Sequence, residues 1–252
     1  MTRGAWRQGL LFAALLGASV IGQSGGEGWG RGERRYDGRF TFVRLRWAAD
    51  SGTGRRTFGF GSTAWNHDFP RAEQNLMALL DDLTAIDVNR AGSLILSLDD
   101  QQLFRYPIVY MWEPGYWTIG DHEALRFREY LLKGGLVIFD DFEHDHLDNL
   151  QHQMRRVLPE ATWIKLDDSH RVFDSFFRMK TIYFPHPFER ILPTYYGVFE
   201  NNDPSKRLMV IANHNADVAE YWEFAGQGLF PVDPSEEAYK LGINYMIYGL
   251  TH

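Results

Sequence analysis

The chain contains no cysteine. That absence removes thiol nucleophiles, thiolate metal sites and disulfides from its chemistry. It fits an oxidising compartment without requiring one. Clustered positive charge is missing too. The chain has 26 Lys and Arg against 33 Asp and Glu, a net charge of −7, and no basic block. Nucleic acid is therefore not an expected partner, because phosphate backbones are held by grouped Lys and Arg. There is no P-loop and no G-x-G-x-x-G after a strand; Gly59-Phe60-Gly61 stands alone in a loop. The one G-x-S-x-G string, Gly22-Gln23-Ser24-Gly25-Gly26, falls at the expected cleavage site and linker and not between a strand and a helix, so it is no nucleophile elbow.

What is present suits a folded domain. Hydrophobic residues make up 44% of the 252 residues and aromatics 15%, enough for a sizeable core. The N-terminus reads as an export signal. Arg3 and Arg7 precede the apolar stretch from Leu10 to Ile21, and Val20-Ile21-Gly22 is an acceptable cleavage site before Gln23. Residues 1–22 are expected to be a signal peptide, which places the mature chain in the periplasm or outside the cell. The bland alternative is an uncleaved anchor, the only route by which this chain would touch a membrane. With no Cys at the cleavage site, lipid attachment there is excluded. Residues 23–38, rich in Gly, Arg and Glu, read as a flexible linker, and residues 39–252 as one α/β domain.

Within that domain, Phe40 to Trp47 alternates and is β-rich, the pattern of a first strand. A helix is expected from Asp68, with Pro70 in its first turn and Leu76, Leu79, Leu80 and Leu83 on its buried stripe. Leu94–Leu98 and Thr162–Leu166 are short strand candidates. Pro107–Trp112 and Leu136–Phe139 are continuous apolar runs, as strands covered on both faces should be. Thr118 and Asp121 resemble a capping box opening a helix to Leu132, which Gly134-Gly135 would stop. A helix over Leu147–Leu158, an irregular aromatic stretch over Phe173–Pro204, a strand over Arg207–Ala212 and a helix over Ser235–Tyr248 complete the pass. Alternating strands and helices imply a mostly parallel central sheet in a three-layer sandwich.

Several segments together resemble the DUF4159 family. They are Phe42-Val43-Arg44-Leu45, Asp68 through Leu76, Leu103 through Tyr110, Leu131 through Asp141, and the tail from Leu241 to His252. The resemblance covers roughly residues 39–252. It implies a bacterial protein with a class I glutamine amidotransferase-like, flavodoxin-related fold, from a family whose activity is not established. Amidotransferases need a Cys on a tight strand-to-helix turn; this chain has none, so glutaminase, thiol-protease and Cys-dependent deglycase chemistry is excluded.

In open parallel sheets, ligands bind beyond the carboxyl ends of the strands, near the point where strand order reverses. That rule gathers His67 and Asp68 after the first strand, Glu113 after the 107–112 strand, and Asp140, Asp141 and His144 after the 136–139 strand. Carboxylates with neutral imidazole suit Zn, Mn or Fe. Glu113, Asp141 and His144 are the expected metal ligands, with His67 facing them; of the two adjacent aspartates, Asp141 lies nearer the His144 loop. His214 is an outer candidate. The bland readings are a solvated acidic loop, Asp140 or Asp141 capping the next helix, and Asp68 as an N-cap. Trp112, Tyr116 and Trp117 beside Glu113 offer a carbohydrate-stacking alternative, against a plain packing role. Two functions stay open: a non-catalytic binding or assembly component, meeting protein or carbohydrate in the cell envelope, and a metal-dependent or carbohydrate-active hydrolase.

Overall fold

The computed structural model describes residues 36–49, 64–90 and 92–252. The expected signal peptide, most of the expected linker, and the Gly59-Phe60-Gly61 loop lie outside the described residues.

Among the described residues, five α-helices and nine strands form the architecture. The strands are β1 (Val43–Leu45), β2 (Ala48–Ala49), β3 (Leu94–Leu96), β4 (Ile108–Trp112), β5 (Trp117–Thr118), β6 (Leu136–Phe142), β7 (Ile164–Lys165), β8 (Thr194–Phe199) and β9 (Leu208–His214). The helices are α1 (Arg71–Leu83), α2 (Asp121–Leu132), α3 (His146–Val157), α4 (Val218–Glu223) and α5 (Val232–Thr251). Seven strands form one sheet in the order β3-β1-β4-β6-β9-β8-β7, while β2 and β5 pair separately. Neighbours from β3 to β9 run parallel, and β8 is antiparallel to both of its neighbours. Strands β1, β4 and β6 lie side by side and parallel, with Arg44 opposite Tyr110 and Tyr110 opposite Ile138.

The period-2 alternation of the buried strands builds two cores. Tyr110, Trp112, Leu136 and Ile138 face one layer, where they pack with Leu76 of α1, Tyr221 of α4 and Tyr245 of α5. Val109, Met111, Val137 and Phe139 face the other, with Phe127 of α2 and Leu150 and Met154 of α3. The molecule is therefore a three-layer α/β sandwich. Among the described residues, no helix is long and apolar enough to cross a membrane.

Several boundaries differ from the sequence reading for local reasons. Helix α1 starts at Arg71, after a cis Phe69-Pro70 bond. Helix α2 starts at Asp121 because Thr118 is spent pairing β5 with β2; the Gly120 N–H donates to Glu123 Oε2 at 2.9 Å instead. Helix α2 ends as expected at the glycine pair, with Gly134 at φ 116°. Strand β6 runs on through Asp140 and Asp141 to Phe142, with a register shift after Phe139. Strand β8 lies in the stretch read as irregular, and α4 is too short to show a helical period.

From β1 the chain moves to β3 on one side, then to β4 on the other. The reversal falls between β1 and β4, and the crevice beyond their carboxyl ends is where this topology places a ligand.

Candidate metal centre

The crevice is floored by a buried cation. Arg44 of β1 is fully buried and pairs with Glu73 of α1 through two hydrogen bonds of 3.0 and 2.8 Å. Its remaining guanidinium N–H groups donate to the carbonyls of Trp65 and His67 at 2.9 and 2.8 Å. The guanidinium also stacks 3.4 Å above the Trp112 ring. One side chain thus ties β1, α1 and the turn carrying His67 together. In a strand that alternates Val43-Arg44-Leu45-Arg46, Arg44 reads as a solvent-facing residue; nothing in its pattern reveals this role.

Above Arg44, side chains from four segments converge. His67 Nδ1 lies 2.6 Å from Asp141 Oδ2 and 3.5 Å from Asp68 Oδ1. Asp68 does not cap α1, whose N-cap is Pro70 with no side-chain bond. Its Oδ2 accepts instead from Trp112 Nε1 at 2.9 Å, and its Oδ1 is buried without a hydrogen-bond partner. Among the described residues, three groups offer ligand atoms all within 4.8 Å of one another: His67, Asp68 and Glu220; His67, Glu113 and Asp141; and Asp68, Asp141 and Asp217.

The backbone is bent to make this set. Asp68, Glu113 and Asp141 have φ of 61°, 52° and 60°, and His144 and Asn215 in the adjoining loops have 51° and 60°. Each such left-handed residue costs about 1–2 kcal/mol outside glycine. Among the described residues seven non-glycines adopt positive φ, and these five line one edge of the sheet. Strain gathered at one place in this way is characteristic of functional sites. Close packing supports the turn after Glu113: a Cβ on Gly115 would sit 2.3 Å from the His146 ring.

The electrostatics match the crowding. Burial pushes the Glu113 carboxyl up to about 8, with Glu143 and Asp68 raising it further and His67 opposing. Burial likewise raises Asp141 well above the usual carboxylate range, and Glu113, Asp68 and Asp140 add to the shift. Asp217 is raised well above its usual value by burial and by Asp141 and Asp68, and Glu220 is pushed up to about 8 by burial and by Asp68. These carboxyls disfavour their own ionisation, which a bound cation would relieve.

The sequence candidates separate. His67, Asp68, Glu113 and Asp141 come together. Asp140 is in a different environment: fully buried, it accepts from Tyr110 Oη at 2.6 Å, Asn213 Nδ2 at 3.0 Å, and the N–H groups of Val218 and Ala219 at 3.1 Å each. It anchors the start of α4. His144 turns away from Glu113 and Asp141. Its Nε2 lies 2.8 Å from Glu189 Oε2, its N–H donates to Asn215 Oδ1, and its carbonyl is 2.9 Å from His214 Nε2. Asp217 and Glu220 escaped the sequence reading. Their signal was their place just after the strand over 207–212, next in line beyond the one carrying Asp141. Trp112 and Trp117 are 0% and 1% exposed, so neither ring offers a face for stacking a sugar, and Tyr116 packs edge-on against His146.

Fold and edge together define an α/β sandwich domain with an acidic, strained side-chain cluster at its topological switch point. The family described as Domain of unknown function (DUF4159) matches residues 53–250, and the chain belongs to it. No curated protein matches the sequence.

Proposed function

We propose that this protein is a divalent-cation-dependent hydrolase of the bacterial cell envelope, with its ion held in the cleft between β1, β4 and β6. The observation that carries the reading is the convergence of His67, Glu113 and Asp141, from three separate elements, on one small volume. One imidazole and two carboxylates form a ligand set suited to Zn, Mn or Fe. Three protein ligands leave coordination positions open for water or substrate, as catalytic sites require. A cation held by these residues would act as a Lewis acid on a substrate oxygen and, were it Zn, would lower the pKa of a bound water toward about 7 and so supply a nucleophile near neutral pH. Arg44 positions the His67 backbone, and Trp112 fixes one oxygen of Asp68.

The test is hydrolysis of the esters p-nitrophenyl phosphate and p-nitrophenyl acetate by EDTA-stripped protein, then by the same protein loaded with Mn, Zn or Fe. Turnover of at least one ester that appears only on loading and falls to the buffer rate in Asp141→Asn supports the hydrolase. No turnover with any ion on any ester removes it. Export is supported by the positive n-region and apolar stretch of residues 1–22. Mass spectrometry of fractionated cells is expected to show a mature start at Gln23, and an intact Met1 on cytosolic protein would reject export.

One observation favours a second reading, a docking or assembly component. Phe188, 66% exposed, packs edge-on against Phe230 at 5.8 Å, and Leu229 and Val232, 54% and 60% exposed, flank Phe230 in the chain; exposed apolar residues grouped on a surface mark interaction sites.

A further inference from the structure

We infer that the cleft is built for two divalent cations that share ligands. The inference rests on the cation reading above and deepens it. The three ligand groups overlap in a specific way: His67, Asp68 and Asp141 each belong to two of them. One centre is His67, Glu113 and Asp141; the second is the all-carboxylate set Asp68, Asp141 and Asp217, every member buried. Asp141 belongs to both. A carboxylate has two oxygens, and with Oδ2 turned to His67 at 2.6 Å its Oδ1 is left for the other centre. Carboxylate bridging of this kind serves two-ion sites, whose ions lie about 3.5–4 Å apart.

Charge points the same way. Asp68, Glu113, Asp141, Asp217 and Glu220 bring five carboxylates to the cleft around one imidazole. One divalent ion would leave three of the five carboxyls either charged and crowded or still protonated; a second ion takes the place of two of those charges or protons. Arg44 offers no relief, since its charge is taken by Glu73 and its other donors by backbone carbonyls.

An independent pointer is Asp68. Its side chain is 0% exposed, Trp112 satisfies Oδ2, and Oδ1 faces the cleft 3.5 Å from His67 with no hydrogen-bond partner. A buried acceptor without a donor is costly, and its retention marks a ligand position. The second centre's oxygen-only set suits a hard ion such as Mg or Mn, and the first, with imidazole, suits Mn, Zn or Fe. Mn satisfies both centres.

The experiment titrates EDTA-stripped full-length protein with Mn2+, counting bound ions from the loss of the free-ion electron paramagnetic resonance signal. Two Mn per chain, with an exchange-coupled spectrum, are expected. Asp217→Asn should bind one, and Glu113→Gln, on a different loop, should also bind one; melting followed by circular dichroism confirms that both variants fold. His144→Ala should still bind two. One Mn per chain in the parent protein overturns the two-ion inference and leaves the single-cation reading standing. No bound Mn overturns both.

Discussion

Asp140 and Asp141 are adjacent in β6, yet their surroundings are opposite. Asp140 is met by four donors, from Tyr110, Asn213 and the first two N–H groups of α4. Burial pushes its carboxyl up only to about 6, because those donors hold the charged form. Asp141 has one near partner, His67, and is ringed by Glu113, Asp68 and Glu143, which raise its pKa further. One carboxylate completes the fold; the other is kept in a place the fold disfavours. Buried carboxylates are ordinarily held by donors, so one held by a single imidazole among other carboxylates is the one whose charge a cation would relieve.

The comparison breaks most visibly at Asp140. Asp140→Ala leaves four buried donors without an acceptor and should destabilise by on the order of 3–5 kcal/mol in urea unfolding. Arg44→Ala should cost about 3–5 kcal/mol, because it strands Glu73 in the interior. It should also weaken cation binding, since the His67 turn loses its anchor. Asp141→Asn is expected to do the reverse for the ion-free protein, stabilising it by about 1 kcal/mol. A loss of stability equal to that of Asp140→Ala would show that the two carboxylates do the same work.

The same contrast predicts a pH profile. Glu113 and Glu220 bind their protons more tightly folded, at about 8, than at the ordinary 4.5. Between those values the native state carries more protons than the unfolded chain. Their contribution is full below about 4.5 and is lost as pH rises through about 8, so ion-free protein should weaken over that window. Saturating Mn2+ should flatten the loss, and equal slopes with and without the ion would contradict the account. The smallest effect is expected from His144→Ala. Its pairing with Glu189 is exposed on both sides, so stability should change by less than about 0.5 kcal/mol and ion binding not at all.

Much of this architecture was legible in the sequence. The continuous apolar runs ending at Trp112 and Phe139 could only be central strands, and their ends had to share an edge. That reasoning brought Glu113, Asp141 and His67 together. It failed where backbone torsion decides. His144 is three residues from Asp141, but its φ of 51° turns it toward Asn215 and Glu189, so nearness along the chain did not become nearness in space. Asp217 and Glu220 lie on a six-residue helix without a readable period, and β8 was hidden among aromatics and prolines. The burial of Arg44 depends on Glu73 and two carbonyls that no local pattern announces.

The most direct test of the cation site is scanning calorimetry of EDTA-stripped protein at pH 8, with and without Mn2+ at about 100 times its Kd. The account predicts a rise in Tm of roughly 5–10 °C, from about 2.7 kcal/mol of binding linkage, and no rise in Asp141→Asn. An unchanged Tm in the parent protein, or an equal rise in the variant, would contradict it.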